Sequence, residues 1–211
     1  MINAEFVKQI KIALSKGLPG DDAHQNLAPI KRLSARNALA EKVDYRSSAV
    51  AIVLYPENHQ IKSILMQRPS YDGIHGGQVS FPGGKVEEND ENLEFTARRE
   101  CFEEINLPIS QGELIGELSP VYIPVSNFMV QPFIFFVKDL PELKAEEREV
   151  ESIIHFNLHH LLDESRQKTT SIKISKNLVQ KNVPYFDIED KIVWGATAMI
   201  LAELKAVLKR V

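Results

Sequence analysis

The chain has 211 residues, 44% hydrophobic and 26% charged, with a formal net charge of −4. That suits one globular domain with appendages, large enough to bury its own core, and the negative balance supplies no general attraction for nucleic acid or anionic membranes. The single cysteine, Cys101, excludes an intrachain disulfide and a cysteine-based zinc site, and no apolar run approaches the ~20 residues of a membrane span.

The first 18 residues, MINAEFVKQIKIALSKGL, are amphipathic and mixed in charge, without the apolar core and cleavage site of a secretory signal. The expectation is therefore a cytoplasmic protein. Residues 4–16 place Phe6, Val7, Ile10, Ile12, Ala13 and Leu14 at roughly helical spacing. The Pro/Gly cluster at 17–24 breaks that helix, and 25–43 fits neither helix nor strand clearly. SAVAIVLYP (48–56) reads as a buried strand, and after the turn ENHQ a second strand, IKSILMQRP (61–69), completes a hairpin. Residues 71–84 form a Gly-rich loop with a short extended piece at Gln78–Phe81. Asp90–Asn106 is the clearest helix. Segments 113–140 are strand-like, 149–164 begins extended and ends in a short helix, 171–195 reads as further strands, and 196–210 closes the chain as a helix. Strands and helices mix without a regular βαβ series, which predicts an α+β fold with α/β/α layers around a mixed sheet. The expected division is an N-terminal helical extension, 1–45, and a main domain, 46–211.

The stretch FPGGKVEENDENLEFTARRECFEEINL (81–107) gathers eight carboxylates by Glu104. At ~100° per residue, Glu100, Glu103 and Glu104 fall on a stripe ~100° wide. Cys101, Ile105, Phe102 and Phe95 lie on the far side as the expected core stripe. Like charges at these spacings destabilise an isolated helix by about 0.2–0.5 kcal/mol per pair. A divalent cation is one way to compensate them, and hard ions such as Mg²⁺ take carboxylate oxygen. A solvated acidic face is the commoner use of such a triple. The turn Pro82-Gly83-Gly84 tips the balance, because it lets the backbone approach a ligand closely. Asp90 suits the helix N-cap and Glu91 its first turn.

Other phosphate and metal motifs are absent. Val79 stands where a P-loop needs glycine, and neither GxGxxG nor HExxH occurs. His159-His160 reads as a surface pair, Ser126 has no triad arrangement, and Cys101 reads as packing.

Residues 84–107 resemble the box of the Nudix hydrolase family, whose form is Gly, five residues, Glu, seven residues, then Arg-Glu-apolar-x-Glu-Glu-x-Gly-apolar. Gly84 supplies the glycine, and Arg99, Glu100, Cys101, Glu103, Glu104 and Leu107 supply the end. Counted from Gly84 the acid is Asp90, with eight residues before Arg99, while Glu91 stands at seven. Asn106 replaces the final glycine, a change that a left-handed helix C-terminus accepts. The extra residue resembles the coenzyme A diphosphatase branch. Upstream, LMQRPSYDGIHGGQVSFPGGK is similar to that branch through Arg68, His75, Gly77, Gln78 and Phe81. Asp72-Gly73 replaces a Leu-Arg pair of the branch pattern, and Arg98 stands where an apolar residue is usual. Segments 118–134, 149–150 and 192–201 extend the likeness over about residues 48–201.

The resemblance implies a Nudix α/β/α sandwich and a metal-dependent hydrolase. The implied reaction cleaves the diphosphate of coenzyme A or acyl-coenzyme A, giving 3′,5′-ADP and a 4′-phosphopantetheine. Alternatives are another nucleoside diphosphate derivative (ADP-ribose, NADH, a dinucleoside polyphosphate) or a non-catalytic nucleotide-sensing module. Glu100, Glu103 and Glu104, with the Gly83 carbonyl, are the implied ligands to Mg²⁺ or Mn²⁺. Arg99 orients those acids, and Glu100 or Glu149 acts as general base. Arg68, Gln78, Ser80, Phe81 and Gly84 are the implied substrate contacts. The partner is a small-molecule nucleotide, not nucleic acid or membrane, and the amphipathic N-terminus raises the expectation of a homodimer.

Overall fold

Residues 2–30, 33–70, 76–108, 110–175 and 178–211 are described in a computed structural model of the chain. The first long strands are β1 (Arg46–Glu57) and β2 (Gln60–Gln67). They form an antiparallel hairpin. Its two turn residues, Asn58 (φ 51°) and His59 (φ 62°), are both left-handed, the turn sense that matches strand twist. Beyond the hairpin the strands diverge. β1 pairs with β4 (Gly83–Lys85) at Ser48–Val50, and β2 pairs with β3 (Val79–Ser80) at Met66 and Gln67. The Phe81-Pro82 link crosses between them.

β7 (Phe128–Phe136) lies parallel to β1, and the other pairings are antiparallel, so the sheet is mixed. β5 (Glu113–Glu117) and β6 (Val121–Ile123) pair with β7, and β8 (Ser152–Asn157) pairs with β2. β1 is buried on both faces, which explains its continuous apolar run. Ala49, Ala51, Val53 and Tyr55 face α4 (Leu93–Ile105) and pack with Ala97, Cys101 and Ile105. Ile52 and Leu54 face the opposite layer, built by α1 (Ile2–Ser15) and α5 (Gly195–Leu208). The α/β/α expectation is met.

The ambiguous 25–43 region contains a 3₁₀ turn at Gln25–Leu27 and α3 (Ala35–Ala40), after the four-residue α2 (Asp21–His24). Ser34 caps α3, its Oγ accepting from Asn37 N–H at 3.2 Å. The apolar stripe of α1 is used within the chain, since Ile10 and Ala13 are fully buried in the main core. A separate antiparallel sheet, β9 (Gln167–Ser175), β10 (Leu178–Ile188) and β11 (Lys191–Trp194), adds Phe186, Ile188 and Val193 to that core. Among the described residues, no helix is long and apolar enough to cross a membrane.

Candidate active site

The candidate site lies where β4 packs on α4, and its shape depends on two glycines. Gly83 has φ 152°, and a Cβ added there would lie 2.3 Å from Ala49 O. Its N–H donates to Glu104 Oε2 at 2.8 Å, so the turn backbone anchors the last acid of the box. A Cβ on Gly84 would lie 2.3 Å from Glu100 Oε1. The Glu100 carboxylate thus occupies the space that the missing side chain leaves.

α4 starts later than the sequence suggests. Asn92, not Asp90, is its N-cap, accepting from Phe95 N–H at 2.9 Å. Asp90 grips Arg99 instead. Arg99 Nε donates to Oδ1 at 2.8 Å and Nη2 to Oδ2 at 2.9 Å, a bidentate geometry specific to arginine. Thr96 Oγ and Glu87 N–H complete the bonds to Oδ2. Asp90 is held well below the usual carboxylate range, chiefly by this arginine. The remaining Arg99 donors reach Glu100 Oε1 (3.0 Å), Glu103 Oε2 (2.9 Å) and the Lys85 carbonyl (3.0 Å). Arg99 thus bonds Asp90, Glu100 and Glu103 together, and Asp90, not Glu91, is its bidentate partner. At the far end Asn106 is left-handed (φ 58°, ψ 30°), so it replaces glycine without changing the cap.

The helical wheel put the acids and the core on opposite sides, and the structure corrects this. Glu100 and Glu104 are buried, and Phe102 is 46% exposed. The buried face runs through Ala97, Glu100, Cys101, Glu104 and Ile105, because β4 as well as β1 packs on α4. Arg98 lays its guanidinium 4.3 Å from the Phe135 ring centroid, so its stem covers the core as expected. Glu103 sits at the rim with a half-exposed side chain, bonded to Arg99. Among the described residues, no three His, Cys, Asp or Glu side chains converge as a ready cation site. Two of the three expected ligands share the groove, and the third is turned to Arg99.

Burial dominates the electrostatics. It pushes Glu104 up to about 8 and raises Glu100 as well. Arg68 Nη1 stands 3.8 Å from Glu104 Oε1 and opposes that rise. Glu149 is exposed, and its charge adds a small upward push to both Glu100 and Glu104. The segment before it is tied to the end of α4 by Glu146 N–H to Glu104 O (2.9 Å) and Lys144 N–H to Ile105 O (3.1 Å).

Two of the expected substrate contacts are used within the fold. The Phe81 side chain is 2% exposed and lies in the main core. Gly84 makes room for Glu100 and pairs with Ala49. Gln78 is half-buried, and its carbonyl accepts from Arg68 N–H at 2.9 Å. Ser80 lies on β3 with its Oγ buried and without a hydrogen-bond partner among the described residues. His75, Asp72 and Gly73 lie outside the described residues.

Two buried acids thus lie under a glycine turn, on a mixed sheet between helices. The family model for the NUDIX domain matches residues 45–178, and the chain belongs to the Nudix family. It is similar to the uncharacterized Nudix hydrolase NudL of Yersinia pestis (strain Pestoides F) and to that of Yersinia pseudotuberculosis (serotype O:1b, strain IP 31758). Each is 32% identical over 141 residues, 67% of this chain and 69% of the relative. Among solved structures, a MutT/nudix family protein from Enterococcus faecalis superposes with a TM-score of 0.50 at 16% identity, over 79% of this chain and 63% of that one. The Ap4A hydrolase binary complex of C. elegans gives 0.46 at 18% identity, over 54% and 81%. The protein is a Nudix hydrolase, a diphosphatase acting on nucleotide-type small molecules.

Proposed function

We propose that this enzyme hydrolyses the diphosphate of coenzyme A or an acyl derivative, giving 3′,5′-ADP and a 4′-phosphopantetheine, in the cytoplasm. The observation that carries the chemistry is the pair of buried carboxylates, Glu100 and Glu104, facing a side-chain-free backbone. The substrate assignment is supported by the upstream residues Arg68, Gly77, Gln78 and Phe81 and by the spacing of Asp90 to Arg99.

The donors suit Mg²⁺ or Mn²⁺. They are all oxygen, as hard cations prefer. Burial disfavours the charged form of both carboxylates, and a cation beside them reverses that preference. Glu100 and Glu104 would hold it with the Gly83 carbonyl, and Glu103 would join by leaving Arg99. When bound, the cation neutralises the diphosphate and polarises a phosphoryl oxygen.

The chain's own groups do the rest. The Gly83 amide keeps Glu104 aimed into the groove, and the Asp90–Arg99 pair keeps Glu100 in place. Arg68 meets a phosphate oxygen, and Ser80 Oγ, unpartnered among the described residues, supplies a hydroxyl donor on β3. Glu149, exposed and without a side-chain partner among the described residues, takes the proton from the attacking water. The water oxygen bonds to one phosphorus as the bridging P–O bond breaks. Glu100 is the alternative base.

Mass spectrometry of products from coenzyme A with Mg²⁺ tests the reading. Adenosine 3′,5′-bisphosphate and 4′-phosphopantetheine are expected. Intact coenzyme A beside cleaved ADP-ribose, NADH or dinucleoside polyphosphate would overturn the substrate. Thermal stabilisation by nucleotide with no turnover on any of them would make the protein a sensor.

A further inference from the structure

The β9–β11 sheet has one face in the core and one outside it. Phe186, Ile188 and Val193 point inward and are buried. By strand alternation Tyr185, Asp187, Ile192 and Trp194 point outward. Tyr185 and Trp194 are half-buried but belong to none of the three apolar clusters. Register sets them side by side, and Lys168 on β9 lies directly across from Tyr185. Lys168, Tyr185 and Trp194 therefore form one row across three strands, with neighbours ~5 Å apart.

Charge adds a second, independent feature. Residues 166–181 carry Arg166, Lys168, Lys173, Lys176 and Lys181 and no acid, in a chain of net charge −4. Asp187 is the acid bonded to Lys168, at 2.6 Å, and its carbonyl accepts from Arg166. Lys173 and Lys181 are exposed, with no ion pair among the described residues.

β11 packs on β3, and Thr197 Oγ donates to Val79 O at 3.0 Å. Ser80 is the next residue, and Gly83 follows three further on. Gln67, paired with Val79, has a buried Oε1 without a partner among the described residues. Trp194 also forms the N-cap of α5 with no side-chain cap bond.

We propose that this outer face binds the nucleoside half of the diphosphate substrate, the base on Trp194 and Tyr185 and a second phosphate on the ribose at Lys168. Aromatic platforms stack any base, and the basic arm attracts an anion. The inference rests on the hydrolase reading above for the identity of the ligand, and its test is separate from turnover.

Trp194 is the only tryptophan in the chain, so intrinsic fluorescence reports on this face. Metal-free protein is titrated with adenosine 3′,5′-bisphosphate, with adenosine 5′-monophosphate and with inorganic phosphate. Saturable quenching is expected for both nucleotides, about tenfold tighter for the bisphosphate, as one charge-assisted contact gives. Inorganic phosphate should leave the fluorescence unchanged. Lys168→Ala should remove the difference between the nucleotides, and Tyr185→Ala should weaken both. No quenching by either nucleotide up to millimolar concentration overturns the proposal, as do equal affinities for the two in the wild-type protein. Quenching in a protein that leaves coenzyme A intact would sink the substrate reading and keep this surface. Cleavage of coenzyme A without quenching would do the reverse.

Discussion

At Gly84 a single hydrogen in place of a side chain decides where a carboxylate sits. Alanine there would put Cβ 2.3 Å from Glu100 Oε1 and 2.6 Å from Oε2. Glu100 would have to leave its place, and with it the bond from Arg99. Misplacing a reacting group by about 1 Å can cost ~100-fold in rate. Gly84→Ala is expected to cut turnover by about that factor, with a stability loss of only about 1–3 kcal/mol from the overpacking. Steady-state kinetics beside thermal melts would check it, and wild-type turnover would show that Glu100 needs no such space. The same glycine was visible in the sequence, but its reason was not. Pro-Gly-Gly announces a close backbone approach without saying to what. Asp90 shows the complementary limit. Asp90 and Asn92 are both good caps, and only the folded position of Arg99, nine residues on, decides that Asp90 has other work.

The elements were readable where their pattern is repetitive. The β1–β2 hairpin, the closing helix and the presence of α4 follow from alternation, turn residues and helical spacing. α4's facing was not readable, because the wheel assumes that buried means apolar. Here Glu100 and Glu104 are inside and Phe102 is outside. A helix that packs on a strand carrying two glycines can bury acids against main chain, and no periodicity measures that. Pairings between distant strands were equally silent in the sequence. β8 is tied to β1 across β2 by Tyr55 Oη and His155 Nδ1, 2.7 Å apart, with the rings edge to face. Burial lowers the His155 pKa below its ordinary 6.5, against the pull of Glu57 and with the push of Lys62. A depressed folded value means that the unfolded chain binds the proton more readily. The neutral imidazole's contribution is therefore complete above about 6.5 and is lost as pH falls through the folded value. Urea midpoints should drop more between pH 7.5 and 5 in the wild type than in His155→Phe, to the extent of this one residue. Equal drops would mean that the ring titrates freely in the folded state.

For the molecule as a whole, a buried glutamate on the C-terminal helix gathers bonds from the N-terminal segment. Glu203 on α5 is 0% exposed. It accepts from Gly20 N–H (2.9 Å), Ser119 N–H (3.0 Å) and Ser119 Oγ (2.7 Å), and pairs with His24 Nε2 (2.8 Å). A buried carboxylate is tolerated only with such partners. His24→Ala should lower the unfolding free energy by about 1–3 kcal/mol through the unsatisfied acceptor, without changing KM. Denaturant curves beside kinetics would separate the two, and an unchanged midpoint would show that water replaces the imidazole. The residues before β1 thus hold the layer opposite α4 in place, and the groove faces away from them.

The measurement that bears most directly on the central claim is the turnover of coenzyme A with Mg²⁺ by wild-type and Glu104→Gln proteins. Glutamine keeps the size of the side chain and an oxygen to accept from Gly83 N–H, so the melting temperature should be close to that of the wild type. It removes the charge that would hold the cation. The expected result is a loss of about 100-fold or more in kcat. Near-normal turnover by a folded Glu104→Gln protein would contradict the assignment of this groove as the catalytic site.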